Sequence, residues 1–297
     1  MIKISFNDKF RENIVIALGF FDCVHAGHAK VISRALEIAA EKKALCGVFT
    51  FSNNPAEFLG RNKDSEVMTF NERADIIEEM GVDVVISAVF DDRFKNLSKE
   101  DFISALKNNF KVSALVAGED YTFGRNAEGG LQTLKDAGFE LHICPFLTDD
   151  GKKISTSAIK TALSEGNIPL VNKFLGRRYA IISEVIKERE IGRTIGFPTA
   201  NFRITDKRLP GDAVYDTTAE IDGIRYKSIT NIGSRPTFNE AKTSVETYVL
   251  GFAGNLYGKK IKVEFLRKIR EITAFSSVEE LRNRLEKDKL NREVQPL

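Results

Sequence analysis

The apolar run Ile14-Val15-Ile16-Ala17-Leu18 stops at Gly19, and a helical stripe of Val31, Ile32, Ala35, Leu36 and Ala39 follows. An apolar run with no polar alternation suits a strand buried on both faces, and the helix after it makes a strand–turn–helix unit of a parallel sheet. The turn reads Gly19-Phe20-Phe21-Asp22-Cys23-Val24-His25-Ala26-Gly27-His28, and it holds two of the chain's 3 histidines at i and i+3. Gly19 and Gly27 let the backbone approach a ligand, and a helix starting near Gly27 aims its N-terminal N–H groups into the same space. Imidazole donors over such a terminus suit the charge that develops on an α-phosphate and on departing pyrophosphate. Two surface histidines at a helix start, or a metal-ligand pair, are the other readings of these residues. The strand–turn–helix setting favours phosphate.

The same alternation runs to about residue 165. Strand candidates at 45–51, 83–89, 113–117 and 139–143 are separated by helical stretches near 71–80, 99–109 and 128–137. Five apolar runs with intervening helices predict an α/β, Rossmann-like, doubly wound parallel sheet, with ligands beyond the carboxyl ends of its strands. Helices are expected at 155–163 and, as a connector, at 167–175. From about Arg178 the texture changes to β-branched runs joined by turns. Asp222-Gly223 between 213–221 and 226–232 is a strong hairpin signal, and 244–252 and 260–266 add strands. This half reads as an antiparallel β barrel closed by an amphipathic helix at 278–287. The expected division is therefore 1–165, a linker at 166–177, and 178–297.

Charge and composition narrow the function. Forty-four basic and 42 acidic residues nearly cancel to +2, which argues against a general nucleic-acid binder while leaving room for a local phosphate pocket. No apolar run approaches the roughly 20 residues of a membrane span. The N-terminus lacks the long apolar region of a signal peptide, so a cytoplasmic protein is expected. Cys23, Cys46 and Cys144 have no paired spacing, and the latter two sit in apolar runs as small core residues. Neither a GxxxxGK[ST] loop nor a GxGxxG turn is present, which sets aside P-loop kinases and dinucleotide-binding dehydrogenases.

Further motifs follow in order: Gly118-Glu119-Asp120-Tyr121-Thr122-Phe123-Gly124, Ile154-Ser155-Thr156-Ser157-Ala158-Ile159-Lys160, and Gly192-Arg193-Thr194-Ile195-Gly196-Phe197-Pro198-Thr199-Ala200-Asn201. With the histidine turn, they make the chain resemble the bifunctional riboflavin kinase/FMN adenylyltransferase family, the prokaryotic-type FAD synthetases. The resemblance implies that the first half joins AMP from ATP to FMN, giving FAD and pyrophosphate. It places Gly19, Phe20, Asp22, His25, His28, Ser155, Thr156, Ser157 and Lys160 at ATP, with His25 and His28 catalytic. Asn54, Gly118, Asp120, Phe123 and Gly124 would line the flavin. The serine cluster can also cap its helix, a role compatible with holding phosphate.

For the second half the resemblance implies phosphorylation of riboflavin to FMN. Gly192, Thr194, Gly196, Pro198, Thr199 and Asn201 would hold ATP, Thr199 and Asn201 would ligate Mg²⁺, and Glu246 would accept the substrate proton. Arg270 would lie near the flavin, and Asn231-Ile232-Gly233-Ser234-Arg235-Pro236-Thr237-Phe238 fits the family's pattern. The implied small-molecule partners are ATP, riboflavin and FMN. Departures from the pattern are Cys23 for a glycine, Asn54 for a histidine and Lys160 for an arginine. In the second half they are Ser183, Glu188 and Ala213 for glycines, and Ile272 for the acid of an Arg-x-Glu. Two other readings follow: an FAD synthetase with a weak or inactive kinase half, and a flavin-sensing binding protein.

Overall fold

The run 14–18 lies at the middle of a parallel sheet. The computed structural model describes every residue except 61–64, 188–194, 205–206 and 238–239, with 234–242 described by backbone alone where they are described. Contacts divide the chain into two units, Met1–Thr156 and Ser157–Leu297. In chain order the first contains β1 (Ile2–Ser5), β2 (Phe10–Leu18), α1 (Ala26–Lys42), β3 (Leu45–Phe51), α2 (Pro55–Phe58), α3 (Phe70–Glu79), β4 (Val84–Ala88), α4 (Asp92–Lys95) and α5 (Lys99–Asn109). It continues with β5 (Phe110–Gly118), β6 (Thr122–Phe123), β7 (Gly129–Gly130), α6 (Leu131–Asp136), β8 (Leu141–Cys144), β9 (Thr148–Asp149) and β10 (Lys152–Lys153).

The main sheet has the order β1-β4-β3-β2-β5-β8 with every pairing parallel. It has one strand more than the five that the apolar runs indicate. β1 is a short edge strand in which Ile2 and Ile4 alternate with Lys3 and Ser5, too little apolar sequence to mark it beforehand. Along β2, Val15 and Ala17 face α1 through Val31, Ile32 and Ala35, whereas Ile14, Ile16 and Leu18 face Phe102 and Leu106 of α5. Each such fully buried aliphatic side chain contributes about 1.5–3 kcal/mol. α3 starts with a reciprocal capping box between Thr69 and Glu72, which sets its first turn. The helix expected from 128 begins only at Leu131, because Gly129 and Gly130 pair with Thr122 and Phe123. From β2 the chain goes to β3 and β4 on one side, then to β5 and β8 on the other. The crevice outside Leu18 and Gly118 is therefore the topological switch point.

The second unit takes in α7 (Thr156–Ser164, whose first residue belongs to the first unit), α8 (Ile168–Leu175), β11 (Ala180–Glu184), β12 (Thr199–Phe202), β13 (Ala213–Ile221), β14 (Ile224–Thr237), β15 (Glu240–Val249), β16 (Lys260–Arg270) and α9 (Val278–Glu293). Its antiparallel sheet has the order β11-β16-β13-β14-β15-β12, and a bridge between Ile186 and Asn201 draws the two edges together into a barrel. Asp222 (φ 51°) and Gly223 (φ 80°) both take the left-handed conformation that a two-residue hairpin needs between β13 and β14. Asn172 of α8 donates to Phe265 O and accepts from Tyr179 N, which ties this helix to the barrel.

Inside the barrel, Tyr215, Ala219, Val263 and Phe265 are buried beside a ladder of hydroxyls. Thr217 reaches Ser228 (2.8 Å) and Thr230 (2.9 Å), and Thr230 reaches Thr247 (2.8 Å), so each of these buried groups has a partner. The terminal helix corrects its sequence reading. α9 runs to Glu293 and buries Asp288 and Arg292, while Val278 and Leu290 are exposed. It docks through charge: Arg292 donates twice to Thr217 O, a carbonyl set beside a bulge in β13.

Candidate active sites

The turn after β2 is held from both ends. His25 is the N-cap of α1, and its Nδ1 accepts from the His28 amide at 3.2 Å. An accepting Nδ1 carries no proton, so the ring's proton sits on Nε2. The His28 ring stacks on His25 with centroids 3.6 Å apart at 15°, and Phe21 meets His28 edge-on. Gly27 makes this possible, since a Cβ there would lie 3.0 Å from His25 Cε1. Phe21 and Val24 adopt positive φ (53° and 43°), a strain that clusters at functional turns. Asp22 is buried and its Oδ1 accepts from Val67 N (3.0 Å) and Met68 N, so it fixes the segment before α3 against the turn. Cys23 occupies the space a glycine would leave, with Sγ 3.7 Å from Thr156 Oγ1 at the start of α7.

Sequence reasoning missed Arg73. It is fully buried on α3 and donates to Phe20 O (2.9 Å), Thr50 Oγ1 (2.9 Å), Phe51 O (3.0 Å) and Glu66. Its guanidinium also lies 4.7 Å from the Phe20 ring centroid. Burial lowers its pKa, and Glu66 and Asp22 oppose that shift. One side chain thus ties the histidine turn to the end of β3. The only sequence signal is its position, since Arg73 falls on the inward stripe with Ala74 and Ile77.

A cavity of about 670 Å³ opens at the switch point, within the usual range for small-molecule sites. Gly19, Phe20 and His28 line one side, and Asn54, Gly118, Asp120, Phe123 and Gly124 also line it. The residues that the resemblance assigns to flavin in this half are therefore gathered into one space. The wall the sequence did not single out is aromatic. Phe51 meets Phe90 and Phe94 edge-on at 5.3 and 4.9 Å, and both line the cavity. Asn54 caps α2, its Oδ1 accepting from Ala56 N and Glu57 N, which leaves the Nδ2 amide for a ligand. Gly124 (φ 77°) is required, because a Cβ would lie 3.0 Å from Lys99 N. Asp120 is paired with Lys153 at 2.9 Å. Ser155 precedes α7, Thr156 opens it, and Ser157 and Lys160 lie on its first turns. Burial, with Asp83 nearby, pushes the Cys46 thiol up to about 12, consistent with an inert core residue.

In the second unit a cavity of about 750 Å³ is lined by Pro198, Thr199, Asn201 and Thr247 and by the segment 252–257. Gly196 (φ 87°) stands just before it, whereas Gly192, Thr194 and Glu188 lie outside the described residues. Asn201 pairs with Glu246 across β12 and β15, and Thr199 pairs with Tyr248. Direct cross-strand partners share a face, so Thr199, Asn201 and Glu246 point the same way. Ser244 donates to Glu246 Oε1 at 2.9 Å, which fixes the orientation of the carboxylate. Arg270 is held by Asp288 of α9 at 2.9 Å. The carboxylate beside Arg270 comes from the terminal helix, while Glu271 pairs with Lys268. Ala213 is buried in the barrel and Ser183 sits within β11.

Among the described residues no helix is long and apolar enough to cross a membrane, and none of the His, Cys, Asp and Glu side chains form a metal-binding group of three or more. The chain matches the family model for FAD synthetase over residues 7–158 and that for riboflavin kinase over 175–294. It is 38% identical to the bifunctional riboflavin kinase/FMN adenylyltransferase of Bacillus subtilis (strain 168), covering 93% of this chain and 90% of that protein. It is 33% identical to the Escherichia coli (strain K12) protein of the same description, over 94% and 92%. A solved Streptococcus pneumoniae structure, named a macrolide-efflux protein, superposes with a TM-score of 0.93 at 28% identity and covers 100% of both chains. Two family models in order, and relatives matched over nearly their whole length, settle the classification: the chain belongs to the bifunctional riboflavin kinase/FMN adenylyltransferase family.

Proposed function

We propose that the chain makes FAD in two steps, phosphorylating riboflavin with residues 178–297 and adenylylating the resulting FMN with residues 1–165. What carries the second step is the gathering of His28, Gly19, Asn54, Gly118, Phe123 and Gly124 around one cavity. The FMN phosphate oxygen attacks the α-phosphorus of ATP, a P–O bond forms, and the bond to pyrophosphate breaks. His25, with its proton held on Nε2, and His28 stabilise the charge on the transferring and departing phosphates. The Ser155–Ser157 cluster and Lys160 at the start of α7 hold the outer phosphates. The aromatic wall takes the isoalloxazine ring.

In the kinase half, Glu246 removes the proton from the terminal ribityl hydroxyl, whose oxygen then attacks the γ-phosphorus of ATP with loss of ADP. Thr199 and Asn201 suit Mg²⁺. The Asn201 amide nitrogen donates to Thr199 O at 3.3 Å, which turns Oδ1 away as a hard oxygen donor beside the Thr199 hydroxyl. When bound, the ion neutralises phosphate charge. The half-buried Glu246, fixed by Ser244 in the row of Asn201, disfavours a purely flavin-sensing role, which needs no base. The enzyme is read as cytosolic. Incubation with Mg²⁺-ATP and either riboflavin or FMN, followed by identification of the flavin products, tests the proposal. FAD from FMN with nothing from riboflavin would leave only the adenylyltransferase.

A further inference from the structure

The motif beginning at Asn231 has no part in the chemistry above, yet the strand register places it beside the base. Asn231 pairs directly with Glu246 on one side and with Val214 on the other, Glu246 pairs with Asn201, and Val214 pairs with Arg270. Arg270, Val214, Asn231, Glu246 and Asn201 therefore form one row across five strands, all on one face, with about 4.8 Å between neighbours. Polar groups in this row are already engaged at both ends. Asn201 donates to Thr199 O, Glu246 accepts from Ser244, and Arg270 is paired with Asp288. The Asn231 side chain is half-buried and has no hydrogen-bond partner among the described residues. Two N–H donors and a carbonyl acceptor are thus held ready one strand away from the carboxylate.

Its surroundings point to the kind of ligand. On the same face Gly233 leaves a space that Ile272 fills, with Cδ1 2.9 Å from where a Cβ would stand, and Ile272 is 46% exposed. An amide beside an exposed aliphatic group matches a polyol chain attached to a flat apolar ring. The nucleotide cavity stops at Asn201, and neither Glu246 nor Asn231 lines it. The Asn231 side of Glu246 lies away from that cavity and suits the acceptor substrate.

We propose that Asn231 binds the inner ribityl hydroxyls of riboflavin and so delivers the terminal hydroxyl to Glu246. It is a positioning and specificity residue, not a base. The inference rests on Glu246 as the base of the kinase reaction. A ligand gripped by paired amide hydrogen bonds is recognised by its hydroxyls, so an analogue lacking them should be rejected.

The test uses the full chain with Mg²⁺-ATP and two acceptors: riboflavin, and a flavin whose N10 chain keeps only the terminal hydroxyl. The unsubstituted enzyme should favour riboflavin in kcat/KM. In Asn231→Ala that preference should shrink by about tenfold, through a higher KM for riboflavin with the KM for ATP nearly unchanged. Asn231→Gln, which keeps the amide on a longer stem, should recover part of it. Thermal unfolding of each variant, with the unchanged KM for ATP in the kinase reaction, shows that the second unit is folded. An undiminished preference in Asn231→Ala would overturn the assignment, as would equal loss with both acceptors. Glu246→Gln separates the two ideas. If it leaves kcat intact the base reading fails, whereas a lost kcat with an undisturbed acceptor preference in Asn231→Ala refutes Asn231 alone.

Discussion

The imidazoles of His25 and His28 lie face to face, 3.6 Å between centroids, while His25 Nδ1 caps the amide of His28 itself. His25 thus starts the helix, and the amide it caps sets the tautomer of its own ring. His28→Ala should cut FAD formation from FMN by about 10²–10³ and leave riboflavin phosphorylation unchanged. Gly27→Ala, whose methyl group would press on His25, should lower FAD formation with the same selectivity. Steady-state rates of both reactions on each variant check this, and parallel loss of both would show that the sites are not separate.

Arg73 predicts a stability effect centred on the first unit. Arg73→Met takes a donor from Glu66 and from the Phe20 and Phe51 carbonyls and breaks a buried ion pair, at a cost of about 3 kcal/mol. Thermal unfolding should show a lowered transition, and FAD formation should fall further than FMN formation because the histidine turn loses its anchor. Equal melting temperatures for variant and parent would refute the role.

Glu246→Gln removes the carboxylate proposed as the proton acceptor while keeping the side chain's shape. FMN formation should drop by about 10²–10⁴, with FAD formation from supplied FMN retained. Product analysis by chromatography distinguishes the two outcomes directly.

Asp288 holds Arg270 from the terminal helix and is itself 1% exposed. Asp288→Ala removes a buried carboxylate from the half-buried Arg270 guanidinium, so the second unit should lose about 3 kcal/mol. The KM for riboflavin should rise if Arg270 serves the flavin, and an unchanged KM would detach Arg270 from the site.

Glu264 gives the pH dependence. Burial pushes its carboxyl up, but Lys262, Arg225 and Arg178 together outweigh this and hold it below its ordinary value. A carboxyl whose pKa is lower folded than unfolded binds its proton less readily in the folded state. Its contribution is complete above the usual carboxyl range and is lost as pH falls through the folded value. Glu264→Gln should therefore destabilise by about 1 kcal/mol at neutral pH, with the difference closing in acid. Urea titrations at several pH values measure it, and a gap that stays constant into acid would contradict the assignment.

The alternation of apolar runs and helical stripes, the Asp222-Gly223 hairpin and the glycine-flanked histidines all act through neighbours in sequence. Strand faces, turn conformation and helix starts obey periods of a few residues, so the two architectures and the histidine turn are readable there. β1 escaped because a short edge strand needs little apolar sequence. The docking of α9 escaped because buried charge looks like solvated charge until its partners are known. Arg73 binding Phe20 O, Asp288 pairing with Arg270, the Phe51–Phe90–Phe94 wall and the row from Asn201 to Arg270 each join residues far apart in the chain. Their meeting depends on strand order and register. A shift of one residue would turn Asn231 and Glu246 to opposite faces, and no local pattern in either strand carries that information.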